Sequence, residues 1–197
     1  MSKKWIIIGS IIGGVVLLLA MLGGVYNNLV ASRESVQTAF SNLDAQYQRR
    51  AELIPNLVST VKGAADFESE TLTEVTEARA NATRISIDAS TATPEQLQQY
   101  QQSQGELSQA LGRLLAVAES YPELRATEAF RDLQVQLEGT ENRIATARGD
   151  YNDVARSYNT QVQTFPTNII AGLFGFDRRP YFEATKGSRD APTVDFE

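Results

Sequence analysis

The sequence predicts an all-α protein: an antiparallel up-and-down four-helix bundle preceded by one N-terminal transmembrane helix. Three observations lead to this fold class. The N-terminus carries a long uncharged apolar run, the rest of the chain repeats apolar residues at intervals of three and four, and loop signals divide it into four stretches. Amphipathic helices with short connections bury their apolar stripes against one another. A long receptor-like coiled coil is the alternative, and the proline and glycine interruptions disfavour it.

The N-terminal run has the properties of a signal anchor. Trp5–Val25 is almost wholly apolar, and at about 1.5 Å per residue it spans the roughly 30 Å hydrocarbon core of a bilayer. Tyr26 follows at one end and Trp5 stands at the other, where aromatic rings favour the membrane interface. Lys3 and Lys4 favour a cytoplasmic N-terminus, which places the rest of the chain outside. A cleaved secretory signal is the alternative, although its apolar region is usually shorter.

The first bundle helix follows a heptad seam from Val36 to Val61. Pro55 lies inside this run and is expected to kink the helix, but the apolar register continues past it. Gly63 is a plausible C-terminal stop, and Asp66 is a possible cap for the next helix.

The second helix runs from about Leu72 and fades near Ser86, and the loop "IDASTATPEQ" separates it from the third. Pro94 follows Thr93, and Gln96 stands three residues after that threonine, a capping box with proline at the first helical position. The third helix therefore begins at Pro94. It ends near Tyr121, because the proline that follows disfavours helix in the residue before it.

The fourth helix, from about Thr127 to Thr164, carries the longest apolar stripe. Its members fall seven apart: Phe130, Leu137, Ile144, Tyr151, Tyr158 and Phe165. The pair Tyr-Asn occurs twice in this stripe, so the tyrosines are predicted core residues. Asn152 and Asn159 lie about 100° further around the helix, at the margin of the buried face, where each amide needs a hydrogen-bond partner.

These elements define three regions: a transmembrane signal anchor at 1–27, the four-helix bundle with an apolar C-terminal segment at 28–183, and a disordered tail at 184–197. The apolar segment "IIAGLFGF" is expected near the bilayer if the helices alternate in direction. Its candidate membrane or partner contacts are Ile169, Ile170, Leu173, Phe174 and Phe176. The alternative is that this segment caps the bundle core.

The composition excludes several classes of function. The chain has neither cysteine nor histidine, which rules out disulfides, Cys/His zinc sites, thiolate nucleophiles and imidazole bases. Its net charge of −6 argues against a nucleic-acid partner. A carboxylate hydrolase would need two acids placed across a cleft, one of them with a raised pKa. A di-metal bundle would need Glu-x-x-His pairs, which a chain without histidine cannot form. We therefore expect no catalytic residues, no cofactor and no metal.

Several blocks of the sequence together resemble the LemA family of bacterial membrane-anchored helical proteins. They are "YNNLV", "RRAELIPNLVSTVKG", "FE" at 67–68, "EARA", "YPELRA", "TENRIATAR", the two Tyr-Asn pairs and "FPTNIIAGLFGF". The resemblance covers roughly Tyr26 to Phe182. It implies a four-helix up-and-down bundle on one N-terminal span in the bacterial cell (inner) membrane, and it implies no reaction and no cofactor.

Charged and amide residues stand where the seams require apolar ones. The candidate buried polar network is Arg50, Glu68, Arg79, Glu141, Arg148, Asn152 and Asn159. An isolated buried charge costs several kcal/mol, so these groups are expected to be paired. Arg50 and Arg79 should each contact a carboxylate, with Glu68 and Glu141 as the expected partners. The alternative is a small anionic ligand held by the two arginines.

The leading functional hypothesis is a non-enzymatic, membrane-anchored scaffold or adaptor of the cell envelope. It rests on a full set of packing signals without a catalytic constellation. The expected partners are the membrane and other envelope proteins, and a homo-oligomer is possible. The alternative is an extracytoplasmic ligand-binding sensor bundle, although the single span leads to no cytoplasmic output module.

Overall fold

The structure is a computed structural model that describes residues 3–63 and 68–183. These residues form six α-helices and contain no strand. The helices are α1 (Lys3–Lys62), α2 (Ser69–Arg84), α3 (Pro94–Ala118), α4 (Pro122–Ala126), α5 (Glu128–Gln163) and α6 (Thr167–Phe174). The predicted all-α class is confirmed. The cap expected at Asp66 and the tail expected at 184–197 lie outside the described residues.

The apolar run Trp5–Val25, predicted to be an anchor, and the first helix of the predicted bundle are one continuous α-helix of 60 residues. It crosses the boundary drawn between residues 27 and 28, because "YNNLVASRESV" holds no proline and its apolar side chains keep a helical period. It also continues through Pro55. Within the described residues, this is the one helix long and apolar enough to cross a membrane. An apolar stretch of 18 of its residues has a mean hydropathy of 2.4, and none of that stretch is buried.

Helices α1 and α5 pack along each other in opposite directions. The Ser32 hydroxyl donates to the Gln161 side-chain oxygen at 2.8 Å, and eighteen residues further along α1 the Arg50 guanidinium reaches Glu141 at 2.7 Å. Later residues of α1 therefore meet earlier residues of α5. This pairing places the end of α5 beside the residues that follow the apolar run.

Helices α2 and α3 form the second pair. Arg113 Nε of α3 donates to Glu74 of α2 at 2.9 Å. The start of α3 shows the predicted capping box: the Gln96 N–H donates to the Thr93 hydroxyl at 3.2 Å, and the Thr93 N–H donates to the Gln96 side chain at 2.9 Å.

The short helix α4 lies where the sequence predicts only the end of the third helix, just before Pro122. In the structure α3 ends earlier, at Ala118. Proline suits the first position of a helix because its missing N–H is not needed there, and α4 begins at this proline. The Leu124 side chain of α4 is buried in the core.

The core consists of two apolar clusters that follow one another along the helices. The cluster nearer the anchor contains Leu29, Val36, Phe40, Leu43, Tyr47, Tyr100, Ile144, Tyr151, Tyr158, Ile170, Phe176 and Phe182, among others. The distal cluster contains Ile54, Leu57, Val61, Val75, Leu107, Leu111, Leu114, Phe130 and Leu137, among others. On α1, Arg50 stands between the two clusters.

Candidate functional site

A buried polar layer around Arg50 separates the two apolar clusters. Arg50 is 1% exposed, and four hydrogen bonds surround its guanidinium. Nη1 donates to Glu141 at 2.7 Å and to the Ser108 hydroxyl at 2.6 Å. Nη2 donates to both the backbone and the side-chain oxygen of Gln104, at 3.1 and 2.8 Å. Because burial of a charge costs several kcal/mol, these bonds are what makes the position tolerable.

Two tyrosines complete the layer on the side of the anchor. The Tyr100 hydroxyl donates to Asp44 at 2.6 Å, and the Tyr47 ring lies 5.3 Å from the Arg50 guanidinium. Burial, together with the Asp44 carboxylate, raises the pKa of Tyr100 far above its ordinary value. Burial also raises the pKa of Tyr47. Both hydroxyls therefore stay neutral and are suited to donating hydrogen bonds, not to acting as bases.

Arg79 and Glu68 do not join this layer as expected. Arg79 Nε donates to the Ala51 carbonyl at 2.8 Å, and among the described residues it forms no ion pair with a carboxylate. A backbone carbonyl one residue beyond Arg50 therefore replaces the predicted acid. Glu68 is exposed and accepts a hydrogen bond from Thr71 at 3.3 Å, beyond the distal cluster.

The second polar site holds the C-terminal segment 176–183, here called the strap. The strap has no regular secondary structure, yet it buries every third residue: Phe176, Arg179 and Phe182. A period of three is that of a polyproline II helix, which has about three residues per turn and no internal hydrogen bonds. The backbone of such a segment must find its hydrogen-bond partners elsewhere.

The two asparagines of the Tyr-Asn pairs supply those partners. Asn159 Nδ2 donates to the Arg179 carbonyl at 2.8 Å, and the Arg179 N–H donates to Asn159 Oδ1 at 2.7 Å. Asn152 forms the same two bonds with Phe182, both at 2.9 Å. Each side-chain amide thus pairs with the N–H and the C=O of one strap residue, as a neighbouring strand would in a sheet.

The spacing of the pairs matches the strap. Seven residues of α-helix advance by about 10.5 Å, and three residues of polyproline II advance by about 9.3 Å. Each tyrosine also contacts the strap residue that its asparagine holds. The Arg179 guanidinium lies 5.7 Å from the Tyr158 ring, and the Phe182 ring lies 5.2 Å from the Tyr151 ring, edge to face.

The strap joins α3 to α5. Gln101 of α3 forms two bonds with Glu183, from its Nε2 to the carbonyl at 2.7 Å and from the Glu183 N–H to its Oε1 at 3.1 Å. Arg148 of α5 donates to the same carbonyl at 2.7 Å. The seven residues predicted as one network are therefore divided: Arg50 and Glu141 form the layer, Arg148 and the two asparagines hold the strap, and the other two stand apart.

The strap contacts were missed because a helical seam gives no information about backbone partners from a distant segment. Gln101 and Ser108 look like ordinary helix-surface residues in the sequence, and Gln104 stands at a seam position of the third helix with no sign of its partner. Arg179 is buried although it stands in a charged stretch. The available signal was the three-residue spacing of Phe176, Arg179 and Phe182 in "FDRRPYF".

The apolar segment 169–176 is split between two environments. Ile170 and Phe176 are buried in the cluster nearer the anchor. Leu173 and Phe174 are 76% and 62% exposed, and Ile169 is exposed as well. The Tyr26 ring at the end of the apolar run lies 5.0 Å from Phe174, so α6 is level with that end. One side of the segment caps the core, and the other side faces outward.

Within the described part of the chain, no group of acidic side chains is arranged to hold a metal ion. The model of the LemA family matches residues 39–196. Magnetosome protein MamQ 2 of Paramagnetospirillum magneticum is 30% identical over 190 residues, covering 86% of this chain and 68% of that protein. Magnetosome protein MamQ of Magnetospirillum gryphiswaldense is 28% identical over the same shares.

A third relative, Protein LemA of Metamycoplasma hominis, is 26% identical over 163 residues, which cover 83% of this chain and 71% of that protein. None of these names is that of an enzyme. The matched region of the family model contains the polar layer, both Tyr-Asn pairs and the strap. The chain therefore belongs to the LemA family.

Proposed function

We propose that this protein is a non-enzymatic scaffold of the bacterial cell envelope. In this proposal α1, α2, α3 and α5 form an antiparallel up-and-down bundle, which one transmembrane span holds upright on the cell membrane. The N-terminus is cytoplasmic and the bundle lies outside. The observation that carries the proposal is the continuity of α1, a single helix through both the apolar run and the helical domain.

The exposed side of α6 is evidence for a membrane-facing end of the domain, here called the base, that rests on the bilayer. Phe165, Ile169, Leu173 and Phe174 are all exposed. Among them, Phe174 packs against the ring of Tyr26, an aromatic residue of the kind that favours the interface. Exposed apolar residues grouped at one end of a membrane-anchored domain are suited to the headgroup region or to a neighbouring transmembrane helix. A domain mounted in this way has a fixed height above the membrane.

A fluorescence-quenching experiment tests this mounting. Because the chain has no cysteine, Leu173→Cys introduces one labelling site for a fluorophore in the full-length protein. In proteoliposomes, nitroxides attached to lipids near the interface should quench this label strongly. The matched control is Val135→Cys, also apolar and 67% exposed, but near the opposite end of α5. Equal quenching at the two sites would contradict the proposed base.

The orientation is tested with the same control variant. A membrane-impermeant maleimide added to intact cells should label Val135→Cys if the bundle lies outside. Labelling only after the cells are lysed would place the bundle in the cytoplasm and reverse the proposed orientation.

The scaffold role itself predicts stable contacts with other envelope proteins. Cross-linking in intact cells followed by mass spectrometry should recover the same membrane or envelope proteins in repeated experiments. Recovery of soluble metabolic proteins alone, at the level of an untagged strain, would count against a scaffold.

A second candidate is a ligand-binding sensor, which one cavity favours. It has a volume of about 180 Å³ and lies between α1, α2 and α3 beside the polar layer, with Asp44, Tyr100 and Gln104 in its wall. Typical ligand sites measure about 300–1,000 Å³, so only a small polar molecule fits. Both terminal nitrogens of Arg50 and Nε of Arg79 already donate to protein oxygens, and neither arginine lines the cavity, which disfavours an anion there. Thermal-shift measurements against small polar metabolites separate the two candidates, because a scaffold shows no shift.

A further inference from the structure

The strap is held as a bound peptide is held. The four residues Tyr151, Asn152, Tyr158 and Asn159 of α5, here called the Tyr-Asn ladder, take its main chain and two of its side chains. Hydrogen bonds to the main chain supply binding that any extended peptide can use. The contacts with Arg179 and Phe182 supply selectivity. Together with buried Phe176, they define the pattern aromatic-x-x-Arg-x-x-aromatic.

Residues 177–183 of the strap can leave this groove without breaking a helix. The Phe176 N–H caps α6 by donating to the Ala171 carbonyl at 2.9 Å, whereas no backbone group of residues 177–183 bonds to the backbone of a described helix. Asp177, Arg178 and Glu183 are exposed. The strap is joined to α6 through Gly175, whose φ of +69° lies in the left-handed region that glycine adopts without steric cost. This residue ends α6 and is the natural point at which the strap changes direction.

We propose that the Tyr-Asn ladder is a peptide-binding groove that also accepts the strap of a second copy of this chain, so that neighbouring copies are joined by exchange of residues 179–183 while Phe176 stays with its own α6. The sequence that fits the groove is on the same chain, so every copy carries both the groove and its ligand. Two copies anchored in one membrane present strap and groove at the same height, because α1 connects both rigidly to the span.

The length of the strap permits this exchange. Residues 179–183 must lie in the groove, so only the stretch from Phe176 to Arg179 is free to cross between copies. Three residues of polyproline II extend by about 9.3 Å, close to the roughly 8–10 Å that separates the axes of two packed helices. The exchange therefore requires a copy packed directly against the α3–α5 side. The exchange adds self-assembly to the proposed scaffold, but it does not require α6 to touch lipid.

Cysteine pairs split between two copies test the exchange in the full-length protein. One tagged copy carries Gln101→Cys, and a second copy with a different tag carries Glu183→Cys. Within one chain, the Gln101 side chain is hydrogen-bonded directly to the backbone of Glu183, the last residue of the strap. After co-expression, a short bis-maleimide is added to the membranes. The matched control splits Glu74→Cys and Arg113→Cys, two residues that contact each other within one chain away from the strap.

The expected result is a heterodimer yield several times that of the control pair. An excess of the synthetic peptide FDRRPYFE, residues 176–183, should reduce this yield to the control level by competing for the groove. A second variant, Phe182→Ser in the Glu183→Cys copy, should reduce it as well, and it leaves the groove of the other copy intact.

Two outcomes would overturn the proposal. One is a heterodimer yield equal to that of the control pair, while the chain that carries both Gln101→Cys and Glu183→Cys cross-links within itself. The other is a heterodimer that neither the peptide nor Phe182→Ser reduces, because the copies would then meet outside the groove.

Discussion

Replacement of Asn159 by alanine should loosen the strap and lower the stability of the helical domain. Asn159 is buried and forms two hydrogen bonds with the main chain of Arg179. Each bond contributes about 0.5–1.5 kcal/mol, and a buried group left without a partner costs about 1–3 kcal/mol. Loss of the two bonds therefore costs about 1–3 kcal/mol, or about 2–6 kcal/mol if both strap groups stay buried without partners. Alanine reduces either figure by roughly 0.5 kcal/mol because it is the better helix former. The loss cannot exceed the free energy that the bound strap contributes to the stability of the fold, because the strap detaches if its binding costs more.

Urea denaturation of the full-length protein in detergent, followed by circular dichroism, measures this loss as a lower midpoint. Asn152→Ala should cost less, because Asn152 is only half-buried. The matched control is Asn142→Ala, an exposed residue of the same helix, which should change the free energy of unfolding by no more than about 0.5 kcal/mol. If Asn159→Ala and Asn142→Ala have equal midpoints, the two hydrogen bonds do not hold the strap and the reasoning fails.

Three further predictions concern the buried tyrosines and the polar layer. Tyr151→Ala and Tyr158→Ala should each cost about 3–5 kcal/mol in the same denaturation assay, because both rings are fully buried. Burial raises the pKa of Tyr151 to about 12 from its ordinary value of 10.0. The folded state keeps this proton longer than the unfolded chain, so stability is intact below pH 10 or so and falls as pH rises toward 12; the slope should be shallower in Tyr151→Phe. Glu141→Ala should cost about 1–3 kcal/mol, less than a fully buried pair because Glu141 is 42% exposed. Arg50→Met should also cost about 1–3 kcal/mol, because it leaves the buried side-chain oxygen of Gln104 without its donor. Urea midpoints equal to that of the unchanged protein for both variants would contradict a stabilising role of the polar layer.

The parts of the fold that the sequence predicted depend on local patterns. The heptad stripe of α5 and the capping box at Thr93 involve residues within a turn or two of each other, so their spacing is visible in one dimension. The limits of α5 differ from the predicted ones by a single residue at each end. The continuity of α1 was missed because an anchor and a soluble helix differ in composition, and a change in composition does not itself interrupt a helix.

The strap could not be read from the sequence for a different reason. Asn152 and Asn159 bond to backbone groups, and every residue of a chain presents the same N–H and C=O. The asparagines showed that a partner was needed, but nothing in their own segment showed which one. Arg79 was expected to pair with a carboxylate, but its Nε donates to the nearby Ala51 carbonyl, and within the described ranges it forms no ion pair.

In the proposed membrane-anchored arrangement, the continuity of α1 makes the bilayer part of the mechanics of the domain. The 37 residues from Tyr26 to Lys62 extend about 55 Å beyond the end of the apolar run. A transmembrane helix tilts to match the thickness of its bilayer, on average by about 20°. With no break in α1, such a tilt moves the far end of the helix sideways by about 19 Å. A thicker or thinner membrane would thus change how far each protein leans, and with it which neighbours its distal end can reach.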